Sequence, residues 1–148
     1  MAIGQAIERM DDRLDALEAS LVAALPTRIV SRDLKHYTDQ SDADLTKGVV
    51  TLVSAGEKDY SKALGMTARD GIHQVLLIGH LRVAENQGGQ AIEAAELDLI
   101  EEIKGWVRAG VDGMSLRLDN VQHSRQLDNP YGWIVAYVDA GPPRQTTY

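Results

Sequence analysis

The sequence contains no cysteine and no phenylalanine among its 148 residues. Without cysteine the chain has no disulfide, no thiolate zinc site and no cysteine nucleophile, which fits a reducing compartment. Because aromatic residues make up only 5 % of the chain, aliphatic side chains must fill most of the core. No apolar run approaches the roughly 20 residues that span a bilayer, and the acidic N-terminal segment lacks the long apolar block of a signal peptide. We therefore expect a soluble intracellular protein with no membrane partner.

The chain is also short of positive charge. Its formal net charge is -7 and its isoelectric point is near 5.0. Such a chain is a poor candidate for wrapping nucleic acid, because phosphates need Lys and Arg to replace their counterions. Hydrophobic residues at 44 % and charged residues at 25 % are typical of a globular protein. We expect one domain, residues 1–140, followed by a flexible C-terminal tail, residues 141–148.

The stretch from Gly71 to Ala109 is predicted to organise the fold. The apolar run Ile72–Val83 is dense and is bounded by glycine, which indicates a buried strand. After a Gly-Gly turn, apolar residues recur every three or four positions, which indicates one apolar stripe along a helix. Gly110 stands where a glycine ends a helix. The residues expected to organise the core are Leu77, Leu99, Ile103, Trp106 and Trp133.

The other segments are expected to pack around this pair. Met1–Leu25 is predicted to be a helix that Pro26 ends. The segments His36–Gly48 and Asp119–Pro130 are polar and are predicted to be surface connections. Together the patterns predict an α+β domain: a mostly antiparallel sheet of about five strands, with two long helices on one face. The remaining strands are expected at Arg28–Leu34, Val49–Val53, Met114–Leu118 and Trp133–Val138.

Two segments are candidates for contacts between subunits. The apolar stripe of the first helix suits either its own sheet or a neighbouring subunit. Ser54–Asp70 is long for a connection and is predicted to project from a hairpin as an arm. The mixed charge around one aromatic residue in this arm is typical of protein contacts. The candidate interface residues of the arm are Glu57, Lys58, Asp59, Tyr60, Lys62 and Arg69.

No motif in the chain indicates catalysis, a metal or a cofactor. His73 and His80 have opposite parity on one strand, so they are expected on opposite faces of the sheet. Glu93 and Glu96 are expected on a solvated helix face, because no Glu-x-x-His pattern follows. The aspartates of the first polar segment lack the glycine and glutamate of an EF-hand loop. Gly88-Gly89 is read as a plain turn, since no phosphate-binding glycine motif is present. We expect a protein that is not an enzyme.

One segment carries a resemblance to a known family. From Ser124 to Val135 the chain runs through a polar turn into a strand led by aromatic residues. Together with the leading helix and the glycine-led long helix, this layout resembles the tail terminator proteins of long-tailed bacteriophages. These proteins are also called tail completion or minor tail proteins, of the lambda type. The resemblance covers nearly the whole chain and is one of layout, because that family has no sharp motif.

The resemblance implies a structural protein of the virion tail, assembled in the host cytoplasm. Such proteins form a hexameric ring that caps the tail-tube protein, stops polymerisation and presents the surface for the head–tail connector. DNA passes through the channel without specific binding, which suits an acidic chain. A head–tail connector or neck ring protein is the alternative within virions. A small acidic enzyme and a regulatory adaptor that dimerises through its first helix are the alternatives from other classes.

Overall fold

The computed structural model describes residues 9–58 and 71–141. Within these residues a five-stranded sheet carries two long helices and one short helix. In chain order the elements are α1 (Met10–Ala24), β1 (Ile29–Ser31), a 3-10 turn (Tyr37–Asp39), α2 (Asp42–Lys47), β2 (Val49–Lys58), β3 (Ile72–Arg82), α3 (Gly89–Ala109), β4 (Ser115–His123) and β5 (Tyr131–Gly141).

The strands lie in the order β1-β2-β3-β5-β4. The pairings β2–β3, β3–β5 and β5–β4 are antiparallel, and β1 pairs with β2 in parallel. The sheet is therefore mixed and mostly antiparallel, and the predicted α+β class is confirmed. Because β1 and β4 are the outermost strands, each leaves one row of backbone groups without a strand partner among the described residues.

The core lies between one face of the sheet and the two long helices. Alternate residues of β3, such as Val75 and Leu77, point to this face and are fully buried. Leu99 and Ile103 of α3 are also fully buried, as the stripe pattern predicts. The two helices meet where the Trp106 indole N–H donates to Ser20 Oγ at 3.0 Å. Four of the five expected core organisers thus lie in the core. We call the face of the sheet that carries this core the helix side.

Trp133 is the fifth, and it lies elsewhere. It pairs with His80 across β3 and β5, so its side chain projects from the opposite face, which we call the open face. The side chain is only partly buried, and its indole N–H donates to Asp128 Oδ2 at 3.1 Å. Its neighbour Ile134 is buried on the helix side, and successive strand residues point to opposite faces. Trp133 must therefore point to the open face.

The first polar segment, predicted to be a loop, contains regular structure instead. Ser41 caps α2, since its side-chain oxygen accepts a hydrogen bond from the Asp44 amide at 3.1 Å. Leu45 is fully buried and anchors the helix to the rest of the protein. A serine cap followed by one buried leucine is enough to form a short helix where most residues are polar.

The strand boundaries also differ from the predicted ones. β2 continues to Lys58 and β4 to His123, each through a register shift that inserts an extra residue. Because the shift interrupts strict alternation, the pattern of polar and apolar residues stops resembling a strand. β5 includes Gly141, and the rest of the predicted tail lies outside the described residues.

Candidate interaction surfaces

The predicted arm begins inside β2, so two of its candidate interface residues can be located. Glu57 is on the helix side and forms an ion pair with Arg13 of α1, in which both side chains are less than 10 % exposed. Lys58 is 46 % exposed, and its Nζ lies 3.8 Å from the carboxylate of Asp139. Of the two, only Lys58 has a side chain available to a partner. The other candidates, Asp59, Tyr60, Lys62 and Arg69, lie outside the described residues, and their interface role stays a prediction.

A buried polar group sits next to the Arg13–Glu57 pair. His73 is fully buried on β3, and its Nε2 lies 2.7 Å from Ser54 Oγ. Its Nδ1 has no hydrogen-bond partner among the described residues. Burial lowers the pKa of His73, and the nearby Arg13 guanidinium lowers it further. As predicted, His73 and His80 lie on opposite faces of the sheet.

Glu96 of α3 is fully buried, so the predicted solvated position is wrong. Its carboxylate accepts hydrogen bonds from the Ser124 hydroxyl and from the Trp133 amide, the latter at 3.0 Å. His123 Nδ1 lies 3.2 Å from the same carboxylate. These partners belong to the end of β4 and the start of β5, so Glu96 fixes the β4–β5 hairpin to the helix. Gly132 makes room for it, because a Cβ there would collide with the carboxylate.

The turn of this hairpin, Ser124–Pro130, carries the segment on which the family resemblance rests. Arg125 and Gln126 have positive φ angles of 57° and 67°, a conformation that side chains other than glycine seldom adopt. The following Leu127 is 75 % exposed. A cleft of about 400 Å³ opens beside the turn, lined by Val121, Gln122, His123, Arg125 and Trp133. At this turn the Arg125 guanidinium and the apolar side chain of Leu127 are therefore exposed to solvent.

Among the described residues, the 3-10 turn covers one end of the open face. There the Tyr37 ring stacks on Tyr131 with centroids 5.4 Å apart, and it meets the His80 ring edge-on at 5.5 Å. Burial under this turn raises the pKa of Tyr37, with a smaller effect of Asp128 in the same direction. Burial lowers the pKa of His80, and the nearby His36 lowers it further. Towards the other end, four side chains stay partly exposed: Leu76, Ile78, Val135 and Tyr137.

The described residues do not form a recognisable metal centre. No group of three or more His, Asp or Glu side chains in residues 9–58 and 71–141 is placed to hold a metal ion. In the same part of the chain, neither long helix combines the length and the hydrophobicity needed to cross a membrane. What this part of the chain offers is contact surface: the open face, the β4–β5 turn with its cleft, and two outer strands.

Comparison with models of known protein families returned no match for this chain, and neither did a search of curated proteins. The geometry described above and the resemblance of layout therefore carry the functional proposal. Of the exposed residues on these surfaces, only Lys58 belongs to the predicted interface residues. The exposure of Leu127 and Arg125 follows from the hairpin geometry, and the one signal for it in the sequence is the polar turn ending in Asp128-Asn129-Pro130.

Proposed function

We propose that this chain is a structural virion protein that ends the tail tube of a long-tailed bacteriophage. In this proposal identical copies form a ring, expected to be hexameric, on the last ring of tube subunits. The ring stops polymerisation of the tube protein and provides the surface that joins the head. The protein acts by shape and contact, with no catalytic step.

The observation that supports this most directly is the amount of uncovered sheet in one copy. Among the described residues, no strand pairs with the outer edges of β1 and β4, and the apolar side chains at one end of the open face stay partly exposed. Exposed strand edges and contiguous apolar patches mark sites of protein association. Because the two edges belong to different strands, they offer two different surfaces, as a closed ring of heterologous contacts requires.

The helix side offers less to a partner. Leu14, Leu17 and Leu21 of α1 are buried against the protein's own core. The described part of the first helix therefore favours packing on its own sheet over packing on a neighbouring subunit. The ring proposal therefore rests on the sheet edges, the β4–β5 turn and the segment that follows Lys58.

The direct test is to mix the purified protein with isolated cognate tail tubes and to image them by negative stain. We expect six-fold caps at one end of the tube and no further growth when free tube protein is added. Binding to the connector complex without binding to tubes would favour the alternative neck protein. A lone monomer that binds neither would contradict both.

A second experiment tests the predicted arm. Lys58→Glu combined with Tyr60→Ala is expected to weaken tube capping, because it reverses a charge and removes the aromatic residue of the arm. The matched control is Lys104→Glu, which makes the same charge change at a partly exposed position of α3. Unchanged ring size and unchanged capping in the double variant would exclude the arm from both interfaces.

A further inference from the structure

The two outer strands of the sheet lie at the same level along the strand direction. One row of paired residues crosses the whole sheet, from β1 to β4: Val30, Val50, Gly79, Ile134 and His123. The neighbouring row joins Ile29 to Trp133 in the same way. The end of β1 and the end of β4 therefore stand at about the same level on opposite edges of the sheet, and the chain leaves the two strands in opposite directions.

The cleft at the end of β4 is suited to a group that is both apolar and acidic. Trp133 gives it an apolar wall on the open face, and Arg125 gives it a guanidinium. Arg125 has no carboxylate within ion-pair distance in the described part of the chain, and its side chain is exposed. His123 also lines the cleft, and its contact with the Glu96 carboxylate holds its ring in place. A carboxylate that entered would meet an unpaired cation next to apolar surface.

The loop after β1 presents such a group. Leu34 is 53 % exposed, although it follows a strand of the sheet. Asp33 precedes it, and its amide donates to Ser31 Oγ at 2.9 Å, which ties the loop to the end of β1. The Asp33 carboxylate is exposed and has no cation partner among the described residues. An acidic and an apolar side chain thus stand together at the opposite edge from the cleft.

These two surfaces cannot meet within one copy. Five strands at the usual spacing of about 4.8 Å place β1 and β4 roughly 19 Å apart. Contact between them needs a second copy, and each copy then uses one surface to hold its neighbour and the other to be held. Such a contact is heterologous and passes from copy to copy, closing into a ring when the rotation permits.

We propose that Asp33 and Leu34 of one copy dock in the β4-end cleft of the next copy. Leu34 packs on the Trp133 ring, and the Asp33 carboxylate pairs with the Arg125 guanidinium. This inference rests on the proposed function for the existence of a ring, and it names the contact that builds it. The positive φ angles of Arg125 and Gln126 shape the turn that places the Arg125 guanidinium at the mouth of the cleft.

The test is a charge swap followed by native mass spectrometry and sedimentation velocity of the full chain. Arg125→Glu and Asp33→Arg are each expected to weaken association at least about tenfold, because each places like charges face to face. The double variant restores opposite charges, and its association is expected to recover most of that loss. Leu34→Ser tests the apolar half of the contact without a change of charge. Arg108→Glu, at an exposed position near the end of α3, is the control and should associate as the wild type does.

The outcomes separate this inference from the ring function. If the wild type forms rings and Arg125→Glu forms them equally well, the docking contact is wrong and the tail function is untouched. If the swap behaves as expected but the rings do not bind tail tubes, the docking contact stands and the function is wrong. A wild type that is only a monomer, or a two-fold dimer, overturns the docking contact. The thermal unfolding of each variant is recorded in parallel, so that loss of folding is not read as loss of association.

Discussion

The carboxylate of Glu96 connects three parts of the chain: helix α3, the end of β4 and the start of β5. A buried carboxylate stays in a protein when hydrogen bonds replace its water, and Ser124, Trp133 and His123 provide them. The same three contacts hold the turn that carries Arg125. Glu96 thus sets both the stability of the fold and the position of the proposed interface.

Replacement of Glu96 by alanine is expected to lower the free energy of unfolding by about 3 kcal/mol, because buried donors lose a charged acceptor. Urea unfolding measures this. Glu93→Ala is the matched control, since within the described part of the chain Glu93 makes only an exposed contact, with Gln126. Its effect should stay within about 0.5 kcal/mol. Equal losses in the two variants would mean that the buried network does not stabilise the hairpin.

His73 predicts a dependence of stability on pH. Its pKa in the folded protein is lowered, by burial first and by Arg13 second, while Glu57 acts in the opposite direction. Well above pH 6.5 the imidazole is neutral in both states and contributes nothing. Below it the unfolded chain takes up the proton first, so the free energy of unfolding falls as the pH falls, by up to about 1.4 kcal/mol per pH unit. This fall continues until the pKa of the folded state is reached.

The variant His73→Gln isolates this contribution, because glutamine keeps a polar group near Ser54 and does not titrate. Urea unfolding between pH 5 and 7 is expected to show a shallower fall for His73→Gln than for the wild type. A remaining slope is expected, since burial also lowers the pKa of His80. Identical slopes in both proteins would show that His73 takes up no proton when the chain unfolds.

At the scale of the elements, the close contact between α3 and the sheet depends on one glycine of β3. A Cβ at Gly79 would lie 2.6 Å from Leu99 Cδ2 and 2.8 Å from Ile134 Cγ1, too near for either core side chain. Gly79→Ala is expected to cost about 1–3 kcal/mol of stability, because it overpacks the core. Gly105, inside α3, has open space at its Cβ position. There alanine is expected to stabilise the helix by about 0.5–1 kcal/mol.

Thermal unfolding of the two alanine variants gives opposite shifts if this is correct. The melting temperature should fall for Gly79→Ala and rise for Gly105→Ala. A fall in both variants would mean that Gly105 has a contact beyond the described residues. No change at Gly79 would mean that α3 can move away from the sheet without loss.

The elements with regular periodicity could be predicted from the sequence, and the polar contacts between elements could not. β3 and α3 follow from apolar spacing alone, because each buries one continuous stripe. The environment of Glu96 could not be predicted, since its partners Ser124 and Trp133 come from positions 28 and 37 residues away. The position of Trp133 on the open face was also missed, because a stretch that is apolar at every position does not reveal which parity is buried. The exposure of Leu34 and Leu127 depends on the finished sheet, so the proposed docking contact required the structure.

At the scale of the whole molecule, association and stability are linked. A ring forms only from folded copies, so assembly removes folded chains from the unfolding equilibrium and stabilises them by mass action. The melting temperature of the wild type is therefore expected to rise as protein concentration increases about a hundredfold. Arg125→Glu should reduce this rise while leaving the melting temperature of the dilute protein unchanged, because the exposed guanidinium makes no ion pair within the described residues. Differential scanning calorimetry at several concentrations measures both effects, and Arg108→Glu serves as the control that keeps the rise. A wild type whose melting temperature is independent of concentration would contradict the ring, and a variant that keeps the rise would place the contact elsewhere on the molecule.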